Sequence, residues 1–200
     1  MTDTPLSDDD DNYGRVGYGK FAKISPFVML LIMIGTVAYI AANRPEKQSL
    51  ARDLIGEPAP AITLTMADGT TTSLANLQGQ VVILNFWASW CEPCVREMPA
   101  FESVSRQNMA DVQIIGVNLK NEPNPDAATA LLTKTGVTYP IVKDSGGTTN
   151  LHGAIEDAFG SSGPYPLTIV VAPDGTVSQV FFGELNEKKI EAAIEKARAG

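Results

Sequence analysis

Two cysteines, Cys91 and Cys94, are the only thiols in the 200-residue sequence. They follow a continuous apolar run, Val81 to Trp87, and precede a segment with helical periodicity. This order is typical of a strand, a turn that carries two thiols, and a helix. A bridge between the two residues would close a very small loop, so it would stabilise the fold little. The spacing therefore indicates a redox-active dithiol and disulfide pair rather than a structural cross-link.

The two thiols are expected to differ because of where the helix begins. Cys91 falls at the helix N-terminus, where free backbone N–H groups and the helix dipole favour a thiolate. We therefore expect Cys91 to be exposed and to act as the nucleophile. Cys94 lies further along the helix, so we expect it to be more buried and to resolve the mixed disulfide. Trp90 precedes Cys91 and is expected to form a contact surface beside it.

A carboxyl group lies close to the thiols in the sequence. Glu97 comes three residues after Cys94, so the two side chains share one face of the predicted helix. If burial raises its pKa, Glu97 can accept the proton of the Cys94 thiol during resolution. A surface glutamate without a chemical role is the alternative interpretation of this position.

The composition excludes several classes of function. The net charge of −8 is opposite in sign to the basic surface that nucleic-acid binding requires. Two cysteines and the single His152 cannot supply the four ligands of a closed zinc site. The sequence therefore predicts no nucleic-acid partner, no metal and no cofactor other than the Cys91–Cys94 disulfide.

The first 42 residues differ in character from the rest of the chain. Residues 1–23 are polar, with an acidic run from Asp8 to Asp11, and they predict a disordered tail. Residues 24–42 carry no charge; a helix of this length spans about 28 Å, close to the roughly 30 Å core of a bilayer. We interpret them as an uncleaved transmembrane signal anchor rather than a signal peptide, because a clean cleavage site is missing. Similar numbers of basic residues flank the segment, so charge does not set its orientation.

The remainder of the chain predicts a linker, residues 43–53, and one domain, residues 54–200, which is long enough for a single core. The order of the main elements is β-α-β-α-β-α-β-β-α, an α/β arrangement with helices on both faces of a mixed sheet. The predicted strands are 62–66, 81–87, 112–117, 139–142, 167–171 and 177–182. The predicted helices are 92–109, 125–135, 150–159 and 187–199, with a helical turn at 73–77.

The cysteine motif and its surroundings resemble a known family. The segment from Val82 to Pro99, including Glu97-Met98-Pro99 after the second cysteine, looks like the signature of the membrane-anchored thioredoxin-like proteins of the TlpA, ResA and CcmG group. The strand Pro166 to Val171, followed by Asp174-Gly175, is similar to the cis-proline strand and hairpin of that family. The resemblance covers about residues 54–199.

The resemblance implies a thioredoxin-like fold and a further part of the active site. The Tyr165–Pro166 bond would be cis and lie against the cysteines, with the backbone of Tyr165 pairing with the substrate. The resemblance strengthens the prediction that Glu97 is the proton acceptor. Asn85 stands where thioredoxin has a buried aspartate, and an asparagine cannot titrate. Leu167 departs from the family pattern, in which a second threonine is common, and leaves the identity of the substrate open.

The resemblance also implies a location and partners. Family members act outside the cytoplasmic membrane of bacteria, which gives a cytoplasmic tail, a single-pass anchor at residues 24–42 and a catalytic domain on the periplasmic side. The implied reaction reduces disulfides in proteins such as apocytochrome c or oxidase-assembly factors, and a transmembrane electron donor of the CcdA or DsbD type would restore the dithiol. Two alternatives remain: a net disulfide oxidant or isomerase, and a copper-handling assembly module that uses the Cys91 and Cys94 thiolates as soft ligands.

Overall fold

The structure is a computed structural model of the chain and describes residues 25–42, 51–66, 69–107, 109–161 and 163–200. The chain divides into two units, Met1–Lys47 and Gln48–Gly200. The predicted tail, residues 1–23, and residues 43–50 of the predicted linker lie outside the described residues.

One helix, α1 (Pro26–Ala42), makes up nearly all of the described part of the first unit. It falls within the predicted anchor, residues 24–42, and is 17 residues long. Across the described residues, no helix is both long and apolar enough to cross a membrane. The transmembrane anchor therefore stays a prediction.

The second unit contains a mixed β-sheet with helices around it. Five strands form the sheet in the order β5-β4-β3-β6-β7, while β1 and β2 form a separate antiparallel pair. Strands β3, β4 and β5 are parallel to one another, and β6 and β7 complete the sheet in antiparallel pairing. This confirms the predicted α/β fold with a central mixed sheet. The strands are β1 (Thr63–Thr65), β2 (Thr71–Ser73), β3 (Val81–Trp87), β4 (Val112–Asn118), β5 (Ile141–Lys143), β6 (Leu167–Val171) and β7 (Val177–Phe182). The helices are α2 (Glu92–Arg106), α3 (Pro125–Thr135), α4 (Ala154–Ala158) and α5 (Glu187–Arg198), with 3-10 turns at Ala51–Leu54 and Leu74–Leu77.

Strand β3 lies at the centre of the sheet, and all seven of its residues are buried. A continuous apolar run is expected for a strand that is covered on both faces. Leu84 and Phe86 belong to one core cluster, in which Phe159 packs edge-on against Phe86. Val81 and Ile83 belong to a second cluster, which contains buried residues of α2 and α5. The buried strand therefore fixes the position of the segment that follows it, which contains both cysteines.

Helix α4 is shorter than the predicted helix 150–159. The carboxylate of Asp144 accepts hydrogen bonds from the backbone N–H groups of Ile155 and Glu156, each at 2.9 Å, and so fixes the first turn. A Cβ atom at Gly153 would lie 2.1 Å from the carboxyl carbon of Asp144, so the chain can pass this carboxylate only at a glycine. The helix therefore begins directly after that close contact, and its capping carboxylate comes from the segment that follows β5.

Two further boundaries in the domain differ from the prediction by more than one residue. Helix α2 ends at Arg106 rather than at residue 109. Strand β5 begins two residues later than predicted, directly after Pro140. Pro140 has no N–H group to donate to a strand ladder, although its carbonyl accepts a hydrogen bond from the N–H of Gly116.

Gly116 in β4 allows three side chains to approach the backbone closely. A Cβ atom here would lie 2.5 Å from Ile141 Cδ1 and 3.2 Å from both Trp87 Nε1 and Tyr139 Cε2. We expect Gly116→Ala to lower the free energy of unfolding, measured by urea denaturation, by about 1–3 kcal/mol, as for an overpacked core. Ile141→Val removes the closest methyl group, so the double variant should lose less than the sum of the two single changes. Strictly additive losses would contradict this steric explanation.

Candidate active site

Cys91 and Cys94 form a disulfide at the start of α2, with their Cα atoms 5.2 Å apart. Cys91 is the residue immediately before the helix, and Cys94 lies in its first turn. Both sulfur atoms belong to a cluster with Trp87 and Met98, against which Tyr165 packs. The prediction that Cys91 is exposed is therefore wrong for this oxidised form, because its side chain is only 4% exposed. Cys94 is the more buried of the two, as predicted, at 0%.

An aromatic pair lies beside the disulfide. Trp90 is 50% exposed, and its ring lies edge-to-face with that of Tyr165, with 6.4 Å between the ring centroids. The peptide bond from Tyr165 to Pro166 is cis, as the resemblance implied. Leu167 pairs with Phe86 across β6 and β3, so Pro166 lies level with the end of the strand that leads into the cysteine motif. The structure thus brings Tyr165 and Pro166 to the motif from a distant part of the sequence.

Glu97 is buried on α2 and is 1% exposed. Its carboxylate accepts hydrogen bonds from Asn85 Nδ2 at 2.7 Å and from the backbone N–H of Leu185 at 2.9 Å. Burial raises the pKa of Glu97 to about 7, although both hydrogen bonds act to lower it. The interpretation of Glu97 as a surface residue is therefore wrong. A carboxyl group that titrates near neutral pH is suited to proton exchange with a thiol, and its role as the acceptor stays a prediction.

Asn85 shares the buried polar pocket of Glu97. Its Nδ2 also donates to Thr168 Oγ1 at 3.2 Å, across the pairing of β3 with β6. Its Oδ1 is buried and has no hydrogen-bond partner among the described residues. Rotation of the amide by half a turn would direct Oδ1 at Glu97, where it can accept the proton of a neutral carboxyl group. Asn85 can therefore pair with both protonation states of Glu97.

Glu122, in the loop between β4 and α3, is a candidate that the sequence reasoning missed. Its carboxylate accepts hydrogen bonds from the backbone N–H and the hydroxyl of Ser89, at 2.6 Å and 2.7 Å, and from the N–H of Asn124. Burial acts to raise the pKa of Glu122, but these hydrogen bonds outweigh it and lower the pKa. Glu122 thereby fixes the turn that precedes Trp90. The sequence signal was a single acidic residue in a polar loop, which no local pattern connects to the cysteines.

Known proteins match this chain over most of its length. The Redoxin family profile matches residues 54–195. A thiol-disulfide oxidoreductase ResA of Halalkalibacterium halodurans is 33% identical over 174 residues, which cover 86% of this chain and 92% of the relative. ResA of Bacillus subtilis is 29% identical, and the match covers 86% of this chain and 91% of that protein. The crystal structure of StoA from Bacillus subtilis superposes with a TM-score of 0.57 at 26% identity, covering 68% of this chain and 96% of StoA. The chain therefore belongs to the Redoxin family, within the TlpA, ResA and CcmG group of thioredoxin-like proteins, and is a thiol:disulfide oxidoreductase.

Proposed function

We propose that this oxidoreductase reduces disulfide bonds in protein substrates, with Cys91 as the attacking thiolate and Cys94 as the resolving thiol. The observation that carries the proposal is the Cys91–Cys94 disulfide at the start of α2, with Glu97 buried on the same helix. In the reduced enzyme, Cys91 lies where the helix dipole and the free N–H groups stabilise a thiolate.

The reaction has two exchange steps. The Cys91 thiolate attacks one sulfur of the substrate disulfide, so that a mixed disulfide forms and the other substrate sulfur leaves as a thiolate. Cys94 then attacks the Cys91 sulfur, which releases the second substrate thiolate and forms the Cys91–Cys94 disulfide again. Two electrons pass from the enzyme dithiol to the substrate. A dithiol donor must therefore reduce the enzyme before each new cycle.

Glu97 serves the second step in this proposal. Cys94 must lose its proton before it attacks, and its sulfur is fully buried, so water has little access to it. With a pKa of about 7, a large fraction of Glu97 is ionised at neutral pH and can take that proton. Hydrogen bonds from Asn85 and Leu185 hold the carboxylate in its pocket while it does so.

Trp90, Tyr165 and Pro166 form the proposed substrate contacts. Trp90 offers the exposed aromatic surface next to Cys91. The backbone of Tyr165 pairs with an extended substrate segment, a form of recognition in which main-chain hydrogen bonds supply affinity. Disulfide exchange needs three sulfur atoms close together, and such pairing would align the substrate disulfide with Cys91.

The proposed site of action is the outer side of the bacterial cytoplasmic membrane. The uncharged residues 24–42, which contain helix α1, support a single-pass anchor, with residues 1–23 as its cytoplasmic tail. Relatives named thiol-disulfide oxidoreductase ResA support a function in the same group of proteins. The proposed substrates are apocytochrome c or oxidase-assembly factors, and the proposed donor is a transmembrane protein of the CcdA or DsbD type.

A trapping experiment tests this function. We expect Cys94→Ala to accumulate mixed disulfides on Cys91, because the resolving step is blocked. A single thiol captures proteins that present a disulfide, which are the substrates of a reductase. The captured proteins are released with reductant and identified by mass spectrometry.

The double variant Cys91→Ser/Cys94→Ala is the matched control, and it should capture nothing. The proposal is wrong if Cys94→Ala captures no protein from cells while Cys91→Ser keeps the disulfide reductase activity of the parent enzyme.

A further inference from the structure

Two further carboxyl groups are buried in the domain, and one of them is bonded to Tyr165. Asp144, directly after β5, and Glu156, in α4, are both 0% exposed. Asp144 is occupied with the first turn of α4, where it accepts two backbone N–H groups. The proposed exchange steps use neither group. Glu156 therefore needs a separate explanation, because an ionisable group is costly to bury unless other groups pair with it.

The hydrogen bonds of Glu156 point to its partner. Its Oε2 accepts a hydrogen bond from the backbone N–H of Gly153 at 3.1 Å, and this bond helps to cap the N-terminus of α4. Its Oε1 accepts from the phenol of Tyr165. Burial raises the pKa of Glu156, and the Tyr165 hydrogen bond acts against this by favouring the charged form. A phenol bonded to a carboxyl oxygen in a buried site is held firmly, because such bonds are strong where water is excluded.

Tyr165 is thus fixed at two places. Its hydroxyl is bonded to Glu156, and its ring lies edge-to-face against Trp90. Trp90 is half exposed and directly precedes Cys91, and Tyr165 packs against the cluster that contains Cys91. The two rings therefore form a surface next to the attacking sulfur. We call the rings of Trp90 and Tyr165 the aromatic wall. Removal of the Glu156 carboxyl group would remove the acceptor to which the Tyr165 hydroxyl donates.

We propose that Glu156 is a positioning residue, which holds Tyr165 against Trp90 so that the aromatic wall receives an apolar or aromatic side chain next to the substrate cysteine. This inference rests on the proposed disulfide exchange at Cys91. Aromatic rings pair in preferred edge-to-face or offset arrangements, so the contribution of the wall depends on the angle at which Tyr165 is held. The substrate class is therefore a protein disulfide with an apolar neighbour.

The test compares two synthetic disulfide peptides, one with phenylalanine next to the cysteine and one with alanine at the same position. The wild-type enzyme should show a KM for the phenylalanine peptide about 3- to 10-fold lower than that for the alanine peptide, the range expected for one aromatic contact. In Glu156→Leu, this preference should fall to about 2-fold or less, with a larger change in KM than in kcat.

Three further variants separate positioning from a general structural effect. Tyr165→Phe removes only the hydroxyl and should lose the preference as Glu156→Leu does. Glu156→Gln should keep most of it, because an amide can still pair with the phenol. In the double variant Glu156→Leu/Tyr165→Phe, the loss should equal that of Tyr165→Phe alone.

The outcomes distinguish failure of this inference from failure of the proposed function. An equal KM for both peptides in the wild-type enzyme, or an unchanged preference in Tyr165→Phe, overturns the inference and leaves the disulfide reductase function standing. If the wild-type dithiol reduces neither peptide, the proposed function fails, and the positioning role of Glu156 fails with it. Tyr165→Phe keeps the inference testable should Glu156→Leu not fold.

Discussion

Glu97→Gln is expected to slow the resolution of the mixed disulfide by about 100-fold or more, the usual contribution of a positioned general base. The amide cannot take the proton of Cys94, whereas the parent carboxylate, with its pKa of about 7, can do so at neutral pH. The attack of Cys91 on the substrate should change little, because the helix N-terminus stabilises its thiolate without help from Glu97. Rapid mixing of the reduced enzyme with a disulfide peptide, followed by acid quenching, measures both steps.

The pH profile gives a second readout of the same change. In the parent enzyme, the rate of resolution should rise through about pH 7 as Glu97 ionises, and this inflection should be absent in Glu97→Gln. Glu102→Gln is the matched control, because Glu102 is also buried on α2 but binds Thr138 and Arg106 instead. The proton-transfer role would be contradicted by a normal resolution rate in Glu97→Gln, or by equal slowing of both exchange steps.

Several elements were predictable because their signals are local. The apolar run of β3 is buried along its whole length, and α3 has the predicted bounds. Gly136 ends α3 with a φ of 69°, which a glycine adopts without strain. Asn186 accepts a hydrogen bond from the N–H of Lys189 and caps α5. Each of these signals acts over a few residues, so one sequence is sufficient to recognise it.

The elements that sequence reasoning missed depend on contacts with other segments of the chain. Strand β2 has the sequence Thr-Thr-Ser and lacks an apolar alternation, but it pairs with β1. Asp144 shortens α4 from outside that helix. The buried state of Cys91 also follows from packing between segments, since Tyr165, which precedes β6, packs against its cluster. Local periodicity contains no information on such contacts.

The same distinction, between signals within one segment and contacts between segments, applies to the candidate site. The spacing of Cys91 and Cys94 predicted their disulfide, whereas the role of Glu97, which the family resemblance strengthened, stays a prediction. The part played by Tyr165 came from a family resemblance, and Glu122 was not found at all. Its bonds to Ser89 join two loops that the parallel pairing of β3 and β4 brings together. Residues within one element were predictable, whereas residues between elements required the fold.

Raising the pH from 4.5 to 8 is expected to destabilise the oxidised parent enzyme relative to Glu97→Gln by about 3 kcal/mol. The pKa of Glu97 rises from its ordinary value of 4.5 to about 7 on folding, because the carboxyl group is buried. The folded protein therefore binds more protons than the unfolded chain between these two values. Stability linked to Glu97 is complete below about pH 4.5 and is lost as the pH rises through 7. The magnitude follows from about 1.4 kcal/mol per unit of pKa shift.

The comparison with Glu97→Gln is necessary because the pKa values of other buried carboxyl groups are shifted in the same direction. Burial raises the pKa of Asp144 and Glu156 as well. The pH dependence of unfolding in the parent protein alone would therefore combine the contributions of all three groups. Glu102 gives a control of opposite sign: burial acts to raise its pKa, but hydrogen bonds from Thr138 and Arg106 outweigh this and lower it. The difference between the parent and Glu102→Gln should therefore favour the parent more at high pH than at low pH. Urea unfolding of the oxidised proteins across this range measures both differences, and a pH-independent difference for Glu97→Gln would show that Glu97 titrates normally in the folded protein.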